Sequence, residues 1–143
     1  MESFLEDTEA PVKYLCLIYR DEATVESMPE RESAALQSDM LSYRDQIQQS
    51  GHLVLASALQ PVQTATTIRV RNDHMSITDG PFAETREQLG GFYLIEATDL
   101  NDAIRVVAKT PLARLGSIEV RPLKEFSPRQ PDDHCRGHHD ATS

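Results

Sequence analysis

Twice along this chain a short apolar run is followed by an amphipathic stripe and then by a second apolar run, and few folds accommodate that order in one domain. The first run, Val12 to Tyr19, is nearly continuous and rich in β-formers, the pattern of a strand covered on at least one face. After it, Leu36, Met40, Tyr43 and Ile47 recur at spacings of four, three and four, which places them on one side of a helix from about Pro29 to Gln49. Pro29 suits the first turn of that helix, and Ser50-Gly51 supplies a stop just past its end. His52 to Leu59 then reads as a second strand. The second unit opens with the apolar run Phe92 to Ala97. Asp99 can cap a helix whose stripe is Leu100, Ala103, Ile104 and Val107, Pro111 ends it, and Ile118 to Arg121 forms a last strand.

Between the two units, Thr66–Arg71 and His74–Thr78 alternate in character around Asn72-Asp73, a two-residue hairpin turn. Ile68, Val70, Met75 and Ile77 are expected on its inner face, and Asp79 to Gly91 is expected to be a loop. The whole predicts an α+β fold: a ferredoxin-like βαββαβ unit with an inserted β-hairpin, its helices on one face of an antiparallel sheet. Strands as apolar as Leu15-Cys16-Leu17-Ile18 and Phe92-Tyr93-Leu94-Ile95 are poorly suited to a sheet whose other face meets water, so a homodimer formed face to face is expected.

The chain has 143 residues, the size of one ordinary domain, and no Trp, so the core must come mainly from aliphatic side chains. The folded domain is expected over residues 13–126. Residues 1–12 form an acidic arm bearing Glu2, Glu6, Asp7 and Glu9, and residues 127–143 a flexible polar tail without apolar periodicity. A net charge of -9 disfavours nucleic acid, whose binding relies on clustered Lys and Arg against phosphates. Cys16 and Cys135 make no disulfide framework, and neither an export leader nor a run of roughly 18 apolar residues is evident. A cytoplasmic protein with no membrane contact is expected. There is no Gly-rich phosphate loop, nucleophile elbow or Cys-x-x-Cys motif, and no cofactor is expected.

The segment after the hairpin carries the densest chemistry. Asp79-Gly80-Pro81 is an ordinary turn sequence, but Asp79, Glu84 and Glu87 fall within nine positions between buried strands. Like charges at short range can raise one carboxyl pKa and leave an acid beside a base, so Asp79 and Glu84 are candidate catalytic groups. His52, at the start of a strand, is a third candidate, either as a proton shuttle in the cleft or simply as a bond to the helix end. Gly80, Pro81, Phe82, Arg86, Glu87 and Tyr93 are candidate ligand-binding residues. Each also has a plain structural reading: Phe82 as a core plug, Arg86 as a surface ion pair with Glu84 or Glu87, Tyr93 as a core or interface tyrosine. Gly90-Gly91 permits a hinge or a close approach. His134, Cys135, His138 and His139 in the tail have metal-binding chemistry, but no fold fixes them and no metal site is expected.

The stretch from Thr78 to Phe92, TDGPFAETREQLGGF, resembles the signature of the YCII-related proteins named after their DGPF motif. Lys13-Tyr14-Leu15, Ser50-Gly51-His52-Leu53 and Gly116-Ser117-Ile118-Glu119-Val120-Arg121-Pro122 extend the resemblance over almost the whole domain. It implies a dimeric α+β barrel and an association with sigma factors of the extracytoplasmic-function type. It also implies, in catalytic relatives, a His on the first helix and an Asp near the end of the second. Here the first helix has no His and the second ends Ala108-Lys109-Thr110-Pro111, so that pair does not transfer. Two functions are therefore expected as alternatives. One is a cofactor-independent enzyme of small molecules using the acidic loop, the other a non-catalytic regulatory or ligand-sensing module acting on a sigma factor.

Overall fold

A computed structural model describes residues 11–126; the acidic arm up to residue 10, and the tail with His134, Cys135, His138 and His139, lie outside the described residues. The elements are β1 (Val12–Arg20), α1 (Glu22–Glu26), α2 (Glu30–Gln49), β2 (Leu53–Ala58), β3 (Thr66–Arg71), β4 (His74–Asp79), β5 (Gln88–Ala97), α3 (Leu100–Val107) and β6 (Gly116–Pro122). Short 3-10 turns cover Val62–Thr64 and Pro111–Arg114. Four strands form one fully antiparallel sheet in the order β2-β5-β1-β6, and β3 and β4 pair only with each other. Each βαβ unit thus leaves a gap that a strand of the other unit fills, which is the ferredoxin-like arrangement.

Alternation along the strands decides which side chains meet the helices. Tyr14, Cys16 and Ile18 of β1 and Tyr93, Ile95 and Ala97 of β5 are buried on one face, with Tyr14 opposite Ile95 and Cys16 opposite Tyr93. The expected stripe of α2 covers them: Tyr43 and Ile47 are buried, and Leu36 and Met40 pack partly buried beside them. The Tyr43 ring meets Tyr93 edge-on at 5.6 Å, and its hydroxyl donates to the Val106 carbonyl at 2.7 Å, tying α2 to α3. Cys16 is fully enclosed, and burial pushes its thiol up to about 11, so it stays protonated and inert at neutral pH.

Among the described residues, no helix covers the other face of the sheet. Leu15 and Leu17 lie opposite Leu94 and Phe92, all only partly buried, and Leu55, opposite Leu94, is 50% exposed. A Lys13–Glu96 pair at 3.8 Å and an Arg121–Glu119 pair at 2.9 Å flank this apolar strip. No helix among the described residues is long and apolar enough to cross a membrane.

Four expectations need correction. The polar connection after β1 contains a short helix, capped by Asp21, whose carboxylate accepts from the Ala23 N–H. β5 begins at Gln88 rather than Phe92, so Gly90 and Gly91 are buried strand residues and not a hinge; Gly91 lies against β2, where a Cβ would stand 2.8 Å from the Ser57 carbonyl oxygen. In α3, Ala103 and Val107 are buried, but Leu100 and Ile104 remain 48% and 46% exposed because the helix turns Asp102 inward. In the hairpin, Ile68 pairs with Ile77 and Val70 with Met75 as the alternation requires, yet all four are exposed: among the described residues nothing covers that face.

Candidate functional site

The helix layer does not close fully on the sheet. Between α2 and the ends of β1, β2 and β5 lies a cavity of about 320 Å³, walled mainly by Ile18, Leu36, Met40, Leu41 and Leu112. Its polar groups are few. Arg20 enters from the last position of β1, Arg44, Ser33 and Gln37 from α2, and Tyr93 from β5. Tyr93 is buried, its hydroxyl shares a 3.3 Å hydrogen bond with Thr110 Oγ1, and burial holds its phenol above the ordinary value while the Arg44 charge pulls the other way. Among the described residues, no carboxylate lines this cavity.

The carboxylates gather next to it. A second hollow, of about 380 Å³, is lined by Asp79, Gly80, Pro81, Glu84, Thr85 and Gln88, with Val62 and Gln63 opposite. Asp79 ends β4, and Gly80 reverses the chain at φ +100, a conformation that favours glycine. Gly80 is anchored by its N–H on the Ala65 carbonyl at 2.7 Å and by the Thr67 hydroxyl on its own carbonyl at 2.8 Å. Gln88 then fastens the segment to the body: its Oε1 accepts the Glu22 N–H at 3.0 Å, and Glu22 in turn accepts the Val62 N–H at 3.1 Å. Two residues beyond Gln88, Gly90 already lines the main cavity, so the acidic segment stands beside the cavity's sheet end.

The other loop candidates face outward. Phe82 is 77% exposed and plugs no core among the described residues; its carbonyl accepts from Arg69 at 3.5 Å. Arg86 is exposed and forms no ion pair among the described residues, because Glu87 turns to accept the Ser117 hydroxyl at 2.9 Å.

His52 sits elsewhere. Its carbonyl accepts the Glu96 N–H at 2.8 Å, near the far end of β5, and at ~3.3 Å per strand residue this is on the order of 26 Å along the strand from Gln88. The structure therefore brings Asp79, Gly80, Pro81 and Glu84 together and leaves His52 apart from them. There His52 forms a pair with a residue that the motif comparison does not supply: Nε2 lies 3.2 Å from Asp102 Oδ2, and Nδ1 shares a 2.7 Å bond with the helix-capping Ser50. Asp102 also accepts the Thr98 N–H at 3.0 Å and Arg105 at 2.8 Å. The Thr98 N–H and the His52 contact hold its carboxyl below the usual carboxylate range, against the opposing effect of burial. A small hollow of about 240 Å³ adjoins the pair, with Lys109 and Gln46 on its rim.

Sequence reading missed Arg20, Arg44 and Asp102. Arg20 had a signal, a cation directly after the apolar run Tyr14 to Tyr19. Asp102 had one too, lying three positions after the Asp99 cap, whose side chain accepts the Asp102 N–H at 2.8 Å. Among the described residues, no group of three or more His, Cys, Asp or Glu is placed to hold a metal ion.

Comparison with known proteins places the chain in a family. The family model described as the YCII-related domain matches residues 12–127. An uncharacterised protein of Rhizobium meliloti (strain 1021) is 34% identical over 117 residues, which span 80% of this chain and 94% of that protein. On the extent of both matches, the chain belongs to the YCII-related family.

Proposed function

We propose that this protein is a homodimeric, cofactor-independent enzyme acting on small organic molecules. Substrate occupies the cavity between α2 and the sheet, and the Asp79–Glu87 segment supplies acid–base groups at its edge. The observation that carries this reading is the cavity itself: about 320 Å³, apolar in its walls, with a few convergent polar groups, inside the roughly 300–1,000 Å³ range of small-molecule sites. The placement of Asp79 and Glu84 in the adjoining hollow supports their assignment as proton donor and acceptor. Gly80 and Pro81 shape that hollow, and Tyr93 lines the cavity. His52, remote from both, is assigned instead to pinning the end of α2 to the start of α3 through Asp102. The apolar, helix-free sheet face around Leu15, Leu17, Phe92 and Leu94 supports face-to-face dimerisation.

The test is a proton-NMR turnover screen of small organic acids, lactones and phenols. A consumed compound is expected, and Asp79→Asn or Glu84→Gln should slow its turnover by about 10²–10⁴ with the fold intact. Compounds that bind but are never converted would leave the ligand-sensing alternative, in which a sigma factor recovered by pull-down is the expected partner.

A further inference from the structure

We infer that the cavity between α2 and the sheet selects an anionic ligand, a small organic carboxylate on an apolar body, gripped by Arg20 and Arg44. This deepens the enzyme reading and rests on that cavity being the binding site. The starting observation is the fit of Arg20 over Gly90: a Cβ at that position would stand 2.7 Å from Arg20 Nε and 3.2 Å from Cζ. Only a residue without a side chain lets the guanidinium lie against the strand there and stay inside the cavity.

Once there, one of its donors lacks an acceptor among the described residues. Among the described residues Arg20 Nε is buried without a hydrogen-bond partner, and neither Arg20 nor Arg44 forms an ion pair. A buried donor of a charged group is expensive to leave unpaired, and native structures ordinarily provide it with an acceptor. Among the described residues the cavity walls offer no charged acceptor: they hold two arginines, no Asp or Glu, a few neutral polar side chains such as Ser33 and Gln37, and otherwise apolar ones. This occurs in a chain of net charge -9, where acidic partners are plentiful elsewhere, and Glu119 takes up Arg121 while Asp102 takes up Arg105. The missing acceptor is thus matched to a ligand that brings its own negative charge.

The shape of the site indicates the chemical class. A guanidinium fork matches the two oxygens of a carboxylate, and a second arginine across the cavity fixes the orientation. Ile18, Leu36, Met40, Leu41 and Leu112 then receive a hydrocarbon or aromatic body, which a free inorganic anion would leave unfilled.

The experiment uses the full chain and three probes: benzoate, its neutral counterpart benzamide, and inorganic phosphate. Binding is followed by the amide signals of Gly90, Gly91 and Tyr93 and by calorimetry. Benzoate is expected to shift these signals saturably and to bind at least tenfold tighter than benzamide or phosphate. Arg20→Gln should weaken benzoate tenfold or more while leaving benzamide unchanged, and Arg20→Lys should recover part of the loss. Arg44→Gln, at an exposed helix position, provides the same readout should Arg20→Gln fail to fold. Equal binding of benzoate and benzamide, insensitive to either arginine, would overturn the anion selectivity while leaving the cavity as the site. No saturable shift at those amides with any probe would overturn both.

Discussion

Arg20 crosses Gly90 at a distance that excludes even a methyl group, whereas one position further on Gly91 presses against the backbone of β2. The two neighbouring glycines are therefore required for different reasons, and their alanine variants should separate. In Gly90→Ala the obstacle is the end of a flexible side chain, which swings away; stability should fall by less than about 1 kcal/mol while carboxylate binding is lost. In Gly91→Ala the obstacle is the Ser57 carbonyl, 2.8 Å from the new Cβ, and β2 must move; the expected loss is about 1–3 kcal/mol. Urea denaturation of both, with benzoate titration of the folded forms, checks the contrast. Equal destabilisation with equal binding would contradict it.

The Asp102 network predicts a pH dependence with a definite sign. Its carboxyl is held below the ordinary value in the folded state, chiefly by the Thr98 N–H and also by His52. A lowered folded pKa means that the contribution is complete above the unfolded value, ~3.9, and is lost as pH falls through the folded value. Asp102→Asn should therefore be less stable than the parent by about 1–3 kcal/mol near neutrality, with the gap narrowing below about pH 4. Denaturation midpoints measured from pH 3 to pH 7 decide this, and a gap independent of pH would contradict the assignment.

The bare sheet face makes a prediction about assembly. Leu94 lies at its centre, between Leu15 on β1 and Leu55 on β2. A charge there has no core contact to break within the protomer, but would be desolvated in a face-to-face pair. Leu94→Asp is expected to convert a dimer into a folded monomer, read by sedimentation velocity together with circular dichroism. A parent protein already monomeric at micromolar concentration would contradict the proposed pairing.

Much of the fold was legible because it rests on periodicity. The α2 stripe from Leu36 to Ile47, the Asn72-Asp73 turn with both residues at positive φ, and the Asp99 cap all follow from local rules. The errors arose where tertiary contact overrides pattern. Gly90-Gly91 reads as a loop until β2 and Arg20 are placed against it, and Leu100 and Ile104 read as core until Asp102 takes the inward position. The candidate site was legible only in part. The acidic turn announces itself by composition, and Asp79 and Glu84 do share a hollow. Arg20 and Arg44, 24 positions apart, become a pair only when α2 folds back over β1, and local spacing carries no trace of that. His52 and Asp102, joined at 3.2 Å across 50 positions, are hidden for the same reason.

The proposed function requires that ligands enter the space between α2 and the sheet with the acidic turn beside them. A titration of the labelled full chain with a library of small organic molecules, read residue by residue from the amide spectrum, tests it most directly. Saturable shifts are expected, concentrated at Gly90, Gly91 and Tyr93 and extending into Asp79–Glu87. Shifts gathered instead around His52 and Asp102, with the Arg20 end of the sheet silent, would contradict it.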